Sequence, residues 1–576
     1  MMPKRQVNKK LLTDDHQELA NRKVREWRHL AGNRGNWETQ WEQAAQIALP
    51  AYRNTFNADN IRQPGTDWGQ FQYDSTIAVA AERFSAIVSS LITPALERWF
   101  SLSAGNPIAK ADRNTKLWFE QVVDIVFEYL YSPASNWEGQ NQQVFLSLGV
   151  FGTGPMFIDQ LYKRPGVRFK ALSLAESYPR ENHQGQIDAF DRCFWLTARQ
   201  ARQMFGEENI PEQIYNALDT NPEALFRFLH VVEPQEDVDP RRLDYKGMPY
   251  SSLYISVEQC QLITAPGGYQ SFPYPVSRYS TTPGEIYGRG PMLNSLNAAK
   301  CLNEMKKTML KQGQRITDPP LFAPDDGVLD GADFTPGALN YGGVNQSGQM
   351  LIHTLPTGNL AAGKDAMEWE RSVINDAFLV TIFQILVESP QMTATEVLER
   401  AKEKGILLAP TIGRQTSEYL GPVIDRVLSV LAMQRLLPPM PRLLAQTGGA
   451  YKVRYDSPLT RAQLSGEAAG LQRTVQPLLE MVKLTGDPTP LDHFNWDAIV
   501  PEVATTINAV PTRWLLDAQS VAQIRQGRAE QAQAKQMAEA APGAAALTNA
   551  GASMASAQAE AAKPPPGGGT GAGPAQ

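Results

Sequence analysis

The chain has 576 residues, of which 42% are hydrophobic and 20% charged, with a formal net charge of −6. That length is too great for one compact core, so two to four domains are expected. The negative balance argues against a protein that wraps nucleic acid by its phosphates, because such proteins are usually basic. Three cysteines, far apart and without a CxxC pair, disfavour a disulfide framework and a structural zinc site.

The N-terminus, MMPKRQVNKKLLTDDHQELA, is charged and has no apolar segment of signal-peptide type. Residues 14–50 read as helix, with Leu19, Trp27, Leu30, Trp37, Trp41 and Ile47 at roughly helical spacing and Pro50 ending the run. Residues 51–72 read as loop. An amphipathic helix then runs to Pro94, with Asp74 or Ser75 as its cap and Ala78, Ala81, Ser85, Val88 and Ile92 near one stripe. Further helices are expected at about 110–131 and 136–149. FGTGPMF (151–157) reads as a tight helix-to-strand turn, not a phosphate loop, since it carries no lysine.

Residues 155–285 change texture. RFKALSL, AFDRCFWL, FRFLHVV and SSLYISV are short β-type runs between turn residues. A helix interrupts them at Thr197, where Thr197 and Gln200 have capping-box spacing. A helix of about twenty residues is expected from Gly290 to Gln314, followed at 317–358 by a segment rich in Gly, Pro, Asp and Asn with short β candidates such as QMLIHTL. A second helix is expected over 360–387, ending in the apolar run AFLVTIFQILV. That run is too short to span a bilayer.

A turn at Ser389-Pro390 follows, and then a helix with a marked start. Thr393 as N-cap and Glu396 make a capping box, and Met392 with Val397 make a hydrophobic staple. This helix should reach about Leu437, kinked near Gly405, Pro410, Gly413 and Gly421-Pro422. Residues 443–540 read as mostly helical. From Ala541 the chain is mainly Ala, Gly and Pro and is expected to be disordered. No internal repeat is visible.

Chemistry motifs are sparse. There is no Walker-type phosphate loop, HExxH or GxSxG, and the histidines are isolated. Enzymatic activity has weak support. One charge pattern stands out. Lys300, Lys307 and Lys311 share a stripe on the 290–315 helix, while 360–376 is acidic. The stripe is either a solvated face, a subunit-pairing surface or a surface turned to a polyanion.

Several segments, taken in order, resemble one family. They are YDSTIAVAAERFSAIVSSLITPALERWFSL (73–102), VFGTGPMFID (150–159), GQIDAFDRCFWLTARQARQMFG (185–206), SFPYPVSRYSTTPGEIYGRGPMLNSLNAAKCLN (271–303), MTATEVLER (392–400), YDSPLTRAQ (455–463) and VPTRWLLDAQSVAQIRQGRAEQAQ (510–533). The chain resembles the head-to-tail connecting (portal) proteins of short-tailed bacteriophages. The resemblance implies an α+β, mainly helical portal fold. Residues 1–155 would be the helical part of a wing and 156–286 its mixed α/β part. The first stem helix would be 287–316, the clip 317–358 and the second stem helix 359–387. Residues 388–440 would hold the tunnel loop and long wing helix, 441–540 the wing and crown helices, and 541–576 the tail.

The resemblance also implies a homo-oligomeric ring, commonly of twelve subunits, at one capsid vertex of the virion, made in the bacterial cytoplasm. Its implied partners are double-stranded DNA passing through a channel, the major capsid protein, the large terminase subunit that acts as packaging ATPase, tail adaptors, and scaffold and internal ejection proteins. No cofactor, metal or membrane is implied. Lys300, Lys307 and Lys311 would belong to the stem or channel. Glu388, Ser389 and Gln391 would sit in the tunnel loop, held by the capping residues Met392, Thr393, Glu396 and Val397. The alternatives are another oligomeric virion protein, such as a tail adaptor or internal protein, and an enzyme without a local motif.

Overall fold

The structure is a computed structural model. It describes residues 13–56, 69–318 except 243, 360–380, 410–456, 458–486, 493–504 and 512–535 except 518, with scattered residues at 65, 489 and between 320 and 354. Two units are distinguished, residues 1–491 and 492–576.

The first unit opens with α1 (Asp14–Gly32) and α2 (Gly35–Ala48). The expected single helix over 14–50 is therefore broken at Asn33-Arg34. Gly32 and Gly35 weaken the helix on either side of the break. The Arg34 guanidinium is drawn away into the body, where it donates to the carbonyls of Leu174, Ala175 and Ser177. Next comes α3 (Thr76–Ile92), which buries Ile77, Ala80, Phe84, Ser85, Val88 and Ile92. Ser75 occupies the cap position without a side-chain bond, and Asp74 accepts from the Thr76 N–H instead, at 2.9 Å.

Strand β1 (Phe100–Ala104), α4 (Pro107–Ala111), α5 (Arg113–Leu130) and α6 (Trp137–Phe151) follow. Asp112 caps α5 by accepting from the backbone and hydroxyl of Thr115. The chain then turns at Gly152 into β2 (Thr153–Gln160), as the glycine-rich segment predicts. β3 (Val167–Ala171) pairs antiparallel with β2, and β10 (Val276–Arg278) lies on its other side.

The larger sheet has the order β4-β5-β6-β7-β8, from β4 (Ser177–Glu181), β5 (Ile187–Thr197), β6 (Leu225–Pro234), β7 (Tyr250–Ser256) and β8 (Gln261–Leu262). A short β9 (Gly267–Tyr269) also pairs with β7. Its pairs are antiparallel, and the two faces read as strict alternation. Leu229, Val231, Leu253 and Ile255 meet Ala20, Val24 and Trp27 of α1. Phe190 and Val232 point to the opposite face, against Phe157 and Tyr274. Between β5 and β6, α7 (Ala198–Phe205) and α8 (Glu212–Thr220) pack on Phe194 and Phe228. The Thr197–Gln200 capping box is present in full, with bonds of 3.3 and 3.0 Å.

The predicted helix from Gly290 is two pieces, α9 (Pro291–Asn294) and α10 (Leu296–Thr317), divided at Ser295. Beyond it β11 (Leu321–Phe322) pairs with β12 (His353–Thr354). Helix α11 (Leu360–Ala377) is interrupted where Leu379 takes a left-handed conformation with φ 59°, and residues 381–387 of the expected helix lie outside the described residues. Phe378 and Val380 are nonetheless buried in the main core. The turn at Ser389-Pro390 and its capping box lie outside the described residues.

Of the expected kinked helix, the described part begins at Pro410. It contains a π-helical stretch, Gln415–Leu420, and continues as α12 (Gly421–Met433). Gly413 and Gly421-Pro422 bracket the irregularity, as the breakers predict. The helix stops short of Leu437, with Arg435 left-handed at φ 57°. From 443 the described residues are mostly helical, as expected, with one strand among them. α13 (Arg442–Gln446) leads into β13 (Tyr451–Tyr455), which pairs antiparallel with β1. α14 (Pro458–Thr485) is long and carries Pro477 inside.

The second unit contains α15 (Trp496–Glu502) and a helix over 519–535, where Arg525 pairs with Asp497 at 2.8 Å. Residues 541–576 lie outside the described residues. The architecture is mixed α and β, with helix predominant.

Candidate functional site: a helical hairpin and its root

Helices α10 and α11 pack against each other within one chain. The approach is close. A β-carbon on Gly363 would fall 2.6 Å from the Met309 sulfur, so the glycine leaves room for that flexible side chain between the helices. At the base, Ala299, Leu302, Met367 and Ile374 enter the main core. Farther out the hairpin exposes Leu310 and Ile316, and Trp369 is exposed on the outer side of α11 near the base. The two opposite-sign helices are thus neighbours in the same chain. No ion pair joins them among the described residues, and their acidic and basic faces are held together by apolar packing.

The root of the hairpin is polar and highly connected. Asn303 accepts from the Tyr73 N–H at 2.8 Å and donates to the Phe71 carbonyl at 2.9 Å. It therefore clamps α10 to the chain just before α3. Asp74, next in sequence, caps α3 and receives Arg371 of α11 at 2.8 Å. One buried carboxylate thus joins the start of α3 to the second arm of the hairpin. Burial alone would raise its pKa. The bonds from Thr76 and Arg371 outweigh burial and hold the carboxyl below its ordinary value.

The three sequence-predicted lysines have different surroundings. Lys300 donates to Gln43 of α2 at 2.8 Å, and Lys307 lies 3.5 Å from Glu304 and over the Tyr73 ring. Lys311 is exposed. Glu388, Ser389, Gln391, Met392, Thr393, Glu396 and Val397 lie outside the described residues.

A second joint sits where the π-helical stretch meets the sheet. The Ser277 hydroxyl and the Arg278 carbonyl both bond the buried Gln415 side chain. Arg278 donates to Glu418 at 2.7 Å and also reaches Glu181. Tyr419 donates to Asn141 at 2.9 Å, and Tyr455 of β13 donates to the Thr416 carbonyl at 3.1 Å. A π turn leaves backbone groups out of the regular ladder. Here side chains from α6, β10 and β13 converge on it, so its widened register is fixed from three sides. None of these partners is near in sequence, and local pattern gave no sign of them.

Among the described residues, several titratable groups are buried in the core. His230 bonds the Tyr274 hydroxyl and lies 2.9 Å from the Ser252 hydroxyl, fully enclosed. Burial first, and then the nearby Arg192, push its pKa well below the ordinary histidine value, so the ring is neutral. Burial raises Cys193 to about 12, which keeps it a thiol. Among the described residues, no group of three His, Cys, Asp or Glu is placed to hold a metal ion. None of the described helices is long and apolar enough to cross a membrane.

The described site is thus a helical hairpin anchored by its root in an α/β body, with polar side chains joining the elements around it. The sequence profile of the bacteriophage head to tail connecting proteins matches residues 21–516, and the chain belongs to that family. It is 26% identical over 526 residues to the portal protein of Salmonella phage epsilon15, covering 89% of this chain and 92% of that one. It is also 26% identical over 543 residues to a probable portal protein of Bordetella phage BPP-1, covering 92% and 93% respectively. Its function is that of a portal, the connector between phage head and tail.

The Asp74–Arg371 joint carries a direct prediction. Asp74→Ala removes the α3 cap and the bond from Arg371 to α3, leaving Arg371 with only Glu368 of its own helix, and should cost about 2 kcal/mol. With the folded-state pKa depressed, this contribution is present above the unfolded value and is lost as pH falls through the folded one. Chemical denaturation should therefore show the difference between variant and natural protein at pH 7, shrinking below about pH 4.

Proposed function

We propose that the chain assembles into a closed ring, commonly of twelve copies, around a channel for double-stranded DNA at one capsid vertex. The observation that carries this reading is the hairpin rooted by Asn303 and Asp74 within a chain matched to connectors across 21–516. Helices α10 and α11 are the stem, and residues 317–358 between them are the clip. The α/β body is the wing, and the region beyond 440 leads into the crown. Residues 387–392 form the tunnel loop, a reading that rests on the sequence alone, with the Thr393–Glu396 box fixing one of its ends.

The channel works by not binding DNA tightly. Each phosphate neutralised by a cation releases counterions and adds affinity, so a sliding surface must limit such contacts. A net charge of −6 per chain serves that end, with a few lysine rings, Lys311 among them, countering repulsion locally. The protein is not an enzyme in this reading. A separate packaging ATPase docks on the clip and supplies the work, tail adaptors take its place later, and the major capsid protein, scaffold and internal ejection proteins surround the wing and crown.

The test is light scattering and negative-stain microscopy of the purified chain. Rings with a central opening are expected. A stable species of about the chain mass, 63.6 kDa, at every salt and protein concentration tried would defeat the proposal.

A further inference from the structure

A cleft of about 1070 Å³ runs between the helical body and the large sheet. It exceeds the usual size of a small-molecule site, about 300–1,000 Å³. Its walls come from α5, β1, β10, the π-helical stretch and α12 on one side and from the 182–188 turn and residues 270–276 on the other. Trp118, Phe272 and Tyr451 give it an aromatic lining. Asp188 and Asp425 supply negative charge, Asp425 also accepting from the Tyr451 hydroxyl at 2.6 Å, while Glu418 is already paired with Arg278 and Arg414. Arg278 is the cation of the lining, and it is already engaged by Glu181 and Glu418. An aromatic, net-acidic cleft repels phosphates and suits an extended peptide that is basic and apolar.

One segment of this sequence has that chemistry. Residues 1–12, MMPKRQVNKKLL, lie outside the described residues. They carry Lys4, Arg5, Lys9 and Lys10 with no acidic residue, together with Met1, Met2, Val7, Leu11 and Leu12. The arm of the same chain is badly placed to fill its own cleft. It enters α1, where Gln17 bonds the Cys260 carbonyl near the Ser256 end of β7. The cleft lies by Tyr250, at the other end of that strand, about 20 Å away at ~3.3 Å per residue. It also opens on the sheet face opposite α1. Twelve residues span at most about 40 Å, and rounding the sheet would use most of that length.

We propose that the cleft receives the N-terminal arm of a neighbouring copy. Aliphatic side chains of the arm lie on the aromatic wall, and its cations meet Asp188 and Asp425. The proposal rests on the ring reading for the supply of a neighbour, while the cleft's preference for the arm does not depend on it.

The test uses a fluorescent peptide of residues 1–12 and the protein lacking those residues. Saturable binding that weakens with salt is expected. The double variant D188K/D425K should bind at least tenfold more weakly, with both versions shown to be folded by circular dichroism. A peptide with K4E, R5E, K9E and K10E should fail on the natural cleft and bind the double variant. Absence of saturable binding, or binding unchanged by either reversal, overturns the proposal. The neighbour is tested by co-assembling full-length V7C and S429C chains in a C301S background. A disulfide between the two chains is expected. A disulfide that forms only when both cysteines are in one chain overturns the assignment to a neighbour. Peptide binding without rings would defeat the ring reading and leave the cleft's specificity standing, whereas rings without peptide binding would do the reverse.

Discussion

Gly152→Ala should abolish the folded protein or leave it severely destabilised, by on the order of 4 kcal/mol or more, a loss confined to a few mechanisms in proteins generally. Two independent faults add at this position. The glycine sits at φ 79°, which costs any L-residue roughly 1–2 kcal/mol. Its missing β-carbon would also lie 2.3 Å from the Gly288 carbonyl oxygen and 2.4 Å from the Gly290 nitrogen. Those are backbone atoms, so no flexible side chain can swing aside. The crossing is bonded on both sides, by the Tyr279 N–H to the Gly152 carbonyl at 3.0 Å and by the Gly288 N–H to the Thr153 hydroxyl at 2.8 Å. It lies where α6 turns into β2 and where the chain enters α9, the lead-in to the hairpin. Soluble yield and thermal unfolding would measure the loss. Gly185→Ala is the control: its φ is 77°, but its added carbon meets nothing within 4 Å, so only the smaller conformational cost should appear.

The contrast between legible and illegible features follows sequence separation. The Thr197–Gln200 box, the Gly152 turn, strands β5, β6 and β7 of the large sheet and the breakers around the π-helical stretch are local patterns, and each is found where it was read. Strand β1 was missed although FSLSA alternates buried and half-buried residues, and so was β13, where YKVRY alternates apolar with charged ones. Each is five residues long and lies in a stretch dominated by helix. Their shared meaning appears only when Phe100 is set opposite Tyr455. The root of the hairpin was hidden in the same way. Asp74 was legible as a cap but not as the partner of Arg371, nearly 300 residues on. The lysines at 300 and 307 looked like a free stripe because a helical wheel shows spacing and no neighbours. Gln43 and Tyr73 reach them from other elements.

Arg34→Ala should cost about 3–5 kcal/mol, the range for stripping the partner from a buried ionic cluster. The residue is 2% exposed, and each nitrogen of its fork is engaged. One terminal nitrogen donates to Leu174 and Ser177, the other to Ala175, and Nε donates to Glu38 at 2.7 Å. The guanidinium also lies 3.9 Å from the centre of the Tyr178 ring. Alanine would leave three carbonyls and a carboxylate without their donor and open a space beside Trp41 and Tyr178. Lysine restores the charge but cannot supply a planar fork to three separate carbonyls, so Arg34→Lys should recover less than half of the loss. Glu38→Ala removes one arm of the cluster and should cost about 1 kcal/mol. The residue has a structural consequence beyond its bonds. It stands at the break between α1 and α2, so it fixes the angle at which α1 leaves the helical core to cover the large sheet. Urea unfolding should show the loss of stability. Hydrogen exchange should show it concentrated in α1 and in β4 to β7, with α5 and α6 protected until global unfolding. If protection fell evenly through both layers, Arg34 would be one more core contact and not the hinge that joins them.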